Sequence, residues 1–108
     1  MDEKPALKNP EIRKLKALAQ KLEACLKVGK NGLSPAFIQG VREELARHEL
    51  IKIKLSEFKE KRHELAPELA EKTESHLVML VGNVFVLYRP NPALPKQVLG
   101  AGQSPAAD

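Results

Sequence analysis

Apolar positions along the chain change period several times, and each change marks an element. Ile12, Leu15, Leu18, Ala19 and Leu22 recur at helical spacing after Asn9-Pro10, which reads as an N-cap followed by proline at the first helical position. Alternation takes over at Ala24, Leu26 and Val28, with Cys25 and Lys27 facing the other way, and predicts a short strand. Gly29-Lys30-Asn31-Gly32 is then a turn, and Ser34-Pro35 opens a second helix whose inner stripe is Phe37, Ile38, Val41 and Leu45. Gly40 interrupts that helix at a cost of about 1 kcal/mol against alanine, which a close helix–sheet contact would explain. Leu50 to Leu55 alternates again: Ile51, Ile53 and Leu55 point one way, Lys52 and Lys54 the other, predicting a sheet with one wet face.

A third helix is expected from about Phe58 to Thr73, with Phe58, Leu65, Ala66, Leu69 and Ala70 inward and Pro67 kinking or restarting it. Leu77 to Val81 and Val84 to Tyr88 are apolar runs joined by Gly82-Asn83, a strong hairpin signal. Both runs are too uniformly apolar for exposed edges, and the second reads as central. The first three strands, linked through helices, should be parallel with right-handed crossovers, and the last antiparallel to its hairpin partner. From Asn91 onward prolines and glycines break any period, so residues 91–108 read as a flexible tail, and residues 1–9 as an N-terminal extension.

Composition narrows the function classes. At 108 residues the chain is one domain, and its 43% hydrophobic and 30% charged residues suit a globular fold. No apolar run approaches the roughly 18 residues of a membrane span, and the start lacks the layout of a secretory signal. The single cysteine, Cys25, suits a reducing compartment, so a cytoplasmic protein is expected. The net charge is +4, and it is unevenly spread. Between Pro10 and Lys30 lie Arg13, Lys14, Lys16, Lys21, Lys27 and Lys30 against only Glu11 and Glu23. Between Ser56 and Ser75 six glutamates outnumber four bases, a solvated helix face. Such lopsidedness is the footprint of a phosphate-binding surface.

Little in the chain suggests catalysis. Cys25 has no activating neighbour in sequence, and His48, His63 and His76 sit singly on different elements, so neither a nucleophile nor a metal site is expected. Gly29 to Gly32 lacks the spacing of a Walker loop or a dinucleotide fingerprint. It does stand between a strand and a capped helix, where main-chain N–H groups and the helix dipole favour anions. Two glycines there let a phosphate backbone approach, and Lys30 and Asn31 supply polar contacts at the tip. Phe37, Phe58 and Phe85 read as core, leaving Tyr88 as the one candidate stacking platform, so backbone-directed nucleic-acid binding is the natural mode.

The residues that carry these features also form a pattern. Leu26-Lys27-Val28-Gly29-Lys30-Asn31-Gly32-Leu33, His48-Glu49-Leu50-Ile51-Lys52-Ile53-Lys54, Val81-Gly82 and Val86-Leu87-Tyr88-Arg89-Pro90 together resemble the CRM-domain family, most closely its stand-alone bacterial YhbY-like members. Arg13 to Ala19 fits that family's first helix, and the resemblance spans residues 10–90. It implies an α+β, two-layer fold of order α-β-α-β-α-β-β, related to the C-terminal domain of translation initiation factor three. Its four-stranded mixed sheet would run 1-2-4-3, with helices mainly on one face. It further implies a non-enzymatic RNA-binding protein without cofactor, acting in ribosome biogenesis on precursors of the large subunit. Plant-organelle relatives help group II introns splice. Carried onto this chain, the RNA-contacting loop is Gly29, Lys30, Asn31 and Gly32; charge and facing add Lys27, Arg13, Lys14, Lys16, Lys52, Lys54 and Arg89. A monomer whose partner is ribosomal RNA is the expectation. Two departures bear on the third helix: Pro67, and Glu74 where the family often has a helix-ending glycine. The competing reading is a protein–protein module docking through Leu94, Val98 and Leu99 or through the acidic third helix.

Overall fold

The computed structural model describes residues 7–95 and 97–99. In chain order they form helix α1 (Asn9–Ala19), strand β1 (Ala24–Val28), helix α2 (Pro35–His48), strand β2 (Leu50–Leu55), a 3-10 turn (Lys59–Lys61), helix α3 (Arg62–Lys72), strand β3 (His76–Val81) and strand β4 (Val84–Tyr88). The strands make one mixed sheet in the order β1-β2-β4-β3. Strand β1 runs parallel to β2, and β4 is antiparallel to both β2 and β3, so the three helix-linked strands share one direction, as expected.

Helices α2 and α3 cover one face. Val41 and Leu45 from α2 and Ala66, Leu69 and Ala70 from α3 pack on Val28, Ile51, Ile53, Leu55, Phe85 and Leu87. Alternation in β2 decides this, since Ile51, Ile53 and Leu55 all point there. The opposite face holds a second cluster, in which Leu15 and Ala19 of α1 meet Leu50, Val78, Val86 and Tyr88. The face expected to be wet is therefore covered over one end by α1, and only its other end stays open.

Strand β3 is an edge in the hydrogen-bonding direction, as the expected order 1-2-4-3 implies, although its apolar run argued against an exposed edge. The run is explained by cover on both faces: Leu77 and Leu80 pack toward α3, Val78 and Met79 toward α1. Pro67 neither breaks nor restarts α3, which runs unbroken from Arg62 to Lys72. The one main-chain bond it forgoes, to the carbonyl of His63, lies among exposed residues, where water can take it. Space around Gly40 is open within 4 Å of where a Cβ would stand, so close helix–sheet contact does not account for that glycine.

Glu49 alone links α2 to β2, with φ of 64°. The residue is 1% exposed, and its carboxylate accepts the main-chain N–H of Asn91 at 2.6 Å and of Val98 at 2.7 Å. The Asn91 side chain also donates to the carbonyl of Ala46 at 2.7 Å. The stretch expected as the start of a free tail thus lies against the fold as a strap, and Leu99, 8% exposed, belongs to the second cluster with Val98 packed beside it. Residues 100–108 of that tail lie outside the described residues.

Candidate nucleic-acid interface

Three connections meet at one end of the sheet. The first is the turn after β1, closed by the Gly32 N–H donating to the Gly29 carbonyl at 3.0 Å. The second follows β2: Ser56 and Glu57 donate to the Val28 carbonyl at 3.0 and 3.2 Å. The third is the β3–β4 hairpin, whose Asn83 carbonyl accepts the Leu55 N–H at 2.7 Å. Gly32 has φ of +59°, which glycine alone adopts without strain, and the Phe58 ring stands 3.5 Å from where its Cβ would be. Gly29 is different: its φ is unremarkable and nothing lies within 4 Å of a Cβ built there. The fold does not need a glycine at that position, whereas a close approach from outside does.

Beyond the turn, Ser34 caps α2 by accepting the Phe37 N–H at 3.2 Å, with Pro35 as the first helical residue. No acidic side chain occupies the first turn of α2, so the positive end of its dipole is uncompensated there. Lys30 and Asn31 are exposed at the tip. Lys27 and Lys54 are exposed and stand side by side in the β1–β2 register, on the face away from α2. Lys59 and Lys61 join this end as well, because they follow Phe58, whose ring braces Gly32. A single helix from Phe58 onward would put them on an acidic solvated face, and no local pattern in the sequence separates a 3-10 turn from a first helical turn.

The remaining site residues lie elsewhere. Arg13, Lys14 and Lys16 are exposed on α1, which sits over the opposite end of the sheet. Arg89 follows β4 at that same far end, with Nη2 3.4 Å from Oε1 of Glu74. Lys52 is half-buried between the two groups, and its Nζ donates to the Leu22 carbonyl at 2.8 Å, so it helps tie α1 to the sheet. Tyr88 is not a stacking platform: it is 5% exposed beneath α1, with its ring centroid 6.3 Å from that of His76. Burial, then the carboxylates of Glu49 and Glu11, push its phenol up to about 12. Cys25 lines a cleft of about 600 Å³ between α1, β2 and the strap. Burial, then Glu44, raise its thiol above the ordinary value, the reverse of what a nucleophile needs.

A small mixed sheet, with helices on both faces and a glycine turn leading into a capped helix at its open end, is the frame on which these cations are mounted. The profile of the CRS1 / YhbY (CRM) domain matches residues 7–89, and the chain belongs to that family. It is 33% identical over 88 residues to a protein described as a probable RNA-binding protein of Pseudomonas aeruginosa, covering 81% of this chain and 85% of that one. A Bacillus subtilis relative with the same description is 33% identical over 84 residues, covering 77% and 88% of the two chains. A solution structure from Staphylococcus aureus, described as "a putative RNA binding protein", superposes with a TM-score of 0.67 at 32% identity, covering 78% of this chain and 88% of that one.

Proposed function

We propose that the protein binds RNA through the phosphate backbone at the Gly29–Gly32 end of the sheet and acts, without catalysis, as a cytoplasmic assembly factor for the large ribosomal subunit. The observation that carries the reading is Gly29, a glycine that neither φ nor packing requires, placed beside Lys30 and the uncompensated N-terminus of α2. Family membership and the RNA-binding descriptions of its relatives support the class of partner. The ribosomal role rests on the family resemblance, with a monomer as the binding form. The alternative of docking through the tail is disfavoured, because Val98 and Leu99 are packed within the protein's own second cluster.

One experiment tests the loop and the role together. In a sucrose gradient of lysate at low salt, the wild-type protein is expected to migrate with large-subunit precursors, and ribonuclease should release it. The Lys30→Asp, Asn31→Asp double variant should remain near the top with an unchanged unfolding temperature. Migration unaffected by ribonuclease would overturn the RNA reading. Loss of migration together with loss of the fold would make the turn a structural element.

A further inference from the structure

The sheet's open end carries more than cations. Register places Lys27 opposite Lys54, Lys54 opposite Val84, and Val84 opposite Val81, so one row crosses all four strands from β1 to β3. Alternation puts the whole row on the face that α1 shares, because Val84 is two residues from Val86 and Lys54 two from Lys52. The next row inward, with Val86 buried, lies under α1; this outer row does not. Val81 is 61% exposed, the one exposed large hydrophobic side chain among the described residues. Val84 is half-buried, whereas Phe85, Val86, Leu87 and Tyr88 after it are all buried.

We propose that Val81 and Val84 form an aliphatic contact for a nucleobase of single-stranded RNA whose phosphate is held by Lys27 and Lys54. The inference rests on the RNA reading and adds to it a site that meets a base. Adjacent strands are spaced about 4.8 Å apart, so the row spans about 14 Å, with its cations at one end and its apolar pair at the other. A nucleotide has the same division: charge on the phosphate, an apolar face on the base. Laid along the row with its phosphate over β1 and β2, it turns its base toward β4 and β3. No acidic residue stands in the row to oppose this. The hairpin tip beside it leaves room, since nothing lies within 4 Å of a Cβ built at Gly82. Aliphatic contact with a base is sequence-tolerant in the way stacking is, and phosphate contacts set the register.

The two halves of the row separate by salt dependence. A fluorescent oligouridylate is titrated with the protein at several salt concentrations, and the same is done with an abasic ribose-phosphate oligomer of equal length. Val81→Ser should weaken oligouridylate binding about five- to tenfold with the slope of log K against log salt unchanged, because an apolar contact releases no counterion. Lys27→Gln with Lys54→Gln should flatten that slope by about 1.4. The abasic oligomer should bind wild type and Val81→Ser alike. Val81→Thr, which keeps the shape and strand preference, guards against a folding artefact and should fall between the two. Unchanged oligouridylate affinity in Val81→Ser, or equal losses on the abasic oligomer, would overturn the base contact while leaving RNA binding in place. Failure of the wild-type protein to bind either oligomer would instead remove the RNA reading itself.

Discussion

Tyr88 and Gly29 show how far a residue's role depends on what surrounds it. In sequence Tyr88 is the chain's single tyrosine, at the end of an apolar run beside Arg89, and looks available for stacking. In the fold α1 closes over it, and burial, followed by Glu49 and Glu11, lifts its phenol from the ordinary value of 10.0 to about 12. The phenolate band in an ultraviolet titration should therefore emerge only near pH 12, and a band near the ordinary value would mean that α1 does not cover the ring. The same displacement sets a stability window. Because the folded protein holds this proton more tightly than the unfolded chain does, the stabilisation is full below the unfolded value of about 10. It is lost as pH rises from there through about 12. Gly29 reads the other way: the spacing Gly-x-x-Gly is visible in the sequence, but that one glycine serves the fold and the other does not becomes clear only from φ at Gly32 and the Phe58 ring against it.

At the scale of elements, the end of α3 is informative. Glu74 occupies the position after the cap with φ of 57°. Ser75 N–H reaches back to the Ala70 carbonyl at 2.8 Å, and Glu74 N–H to the Glu71 carbonyl at 3.2 Å. This is a Schellman closure made with glutamate where glycine is the usual residue. The left-handed conformation costs a residue with a Cβ about 1–2 kcal/mol, while the exposed pair with Arg89 gives back little. Glu74→Gly should therefore raise the urea midpoint, stabilising by about 1 kcal/mol. A lower midpoint would mean that the Arg89 pair outweighs the backbone strain. Helices and strands were legible because their periods are unmixed, as in Ile51, Ile53 and Leu55 against Lys52 and Lys54. Less legible was where one element stops serving one face and begins to serve two. The run of apolar residues in β3 argues against an exposed edge, yet a continuous run cannot distinguish cover on two faces from pairing on two edges.

For the molecule as a whole, the largest difference from the sequence reading is the strap. Proline and glycine break periodicity after Asn91, and periodicity carries no sign of a segment held by main-chain donors on a distant carboxylate. Glu49 is separated from Asn91 by 42 residues and from Val98 by 49, so nothing local announces the contact. Ending the chain after Pro90 would remove Val98 and Leu99 from the second cluster and both N–H partners from the Glu49 carboxylate. It should destabilise by about 2–4 kcal/mol, read as a lower urea midpoint; an unchanged midpoint would show the strap to be dispensable. The charge pattern, too, needed the fold to be read correctly. One basic stretch of sequence, Arg13 to Lys30, is split by the sheet into two groups at opposite ends, and Lys54 joins the second of them through register.

That second cluster gathers Leu7 and Leu99, the first and last described residues, under the same end of the sheet. The described residues therefore begin and end at the end remote from Gly29 and Gly32. A fluorophore, a fusion partner or a surface tether joined beside Leu7 or just after Leu99 would sit at that end, with the glycine turn pointing away from it, and one anchored orientation would serve for both.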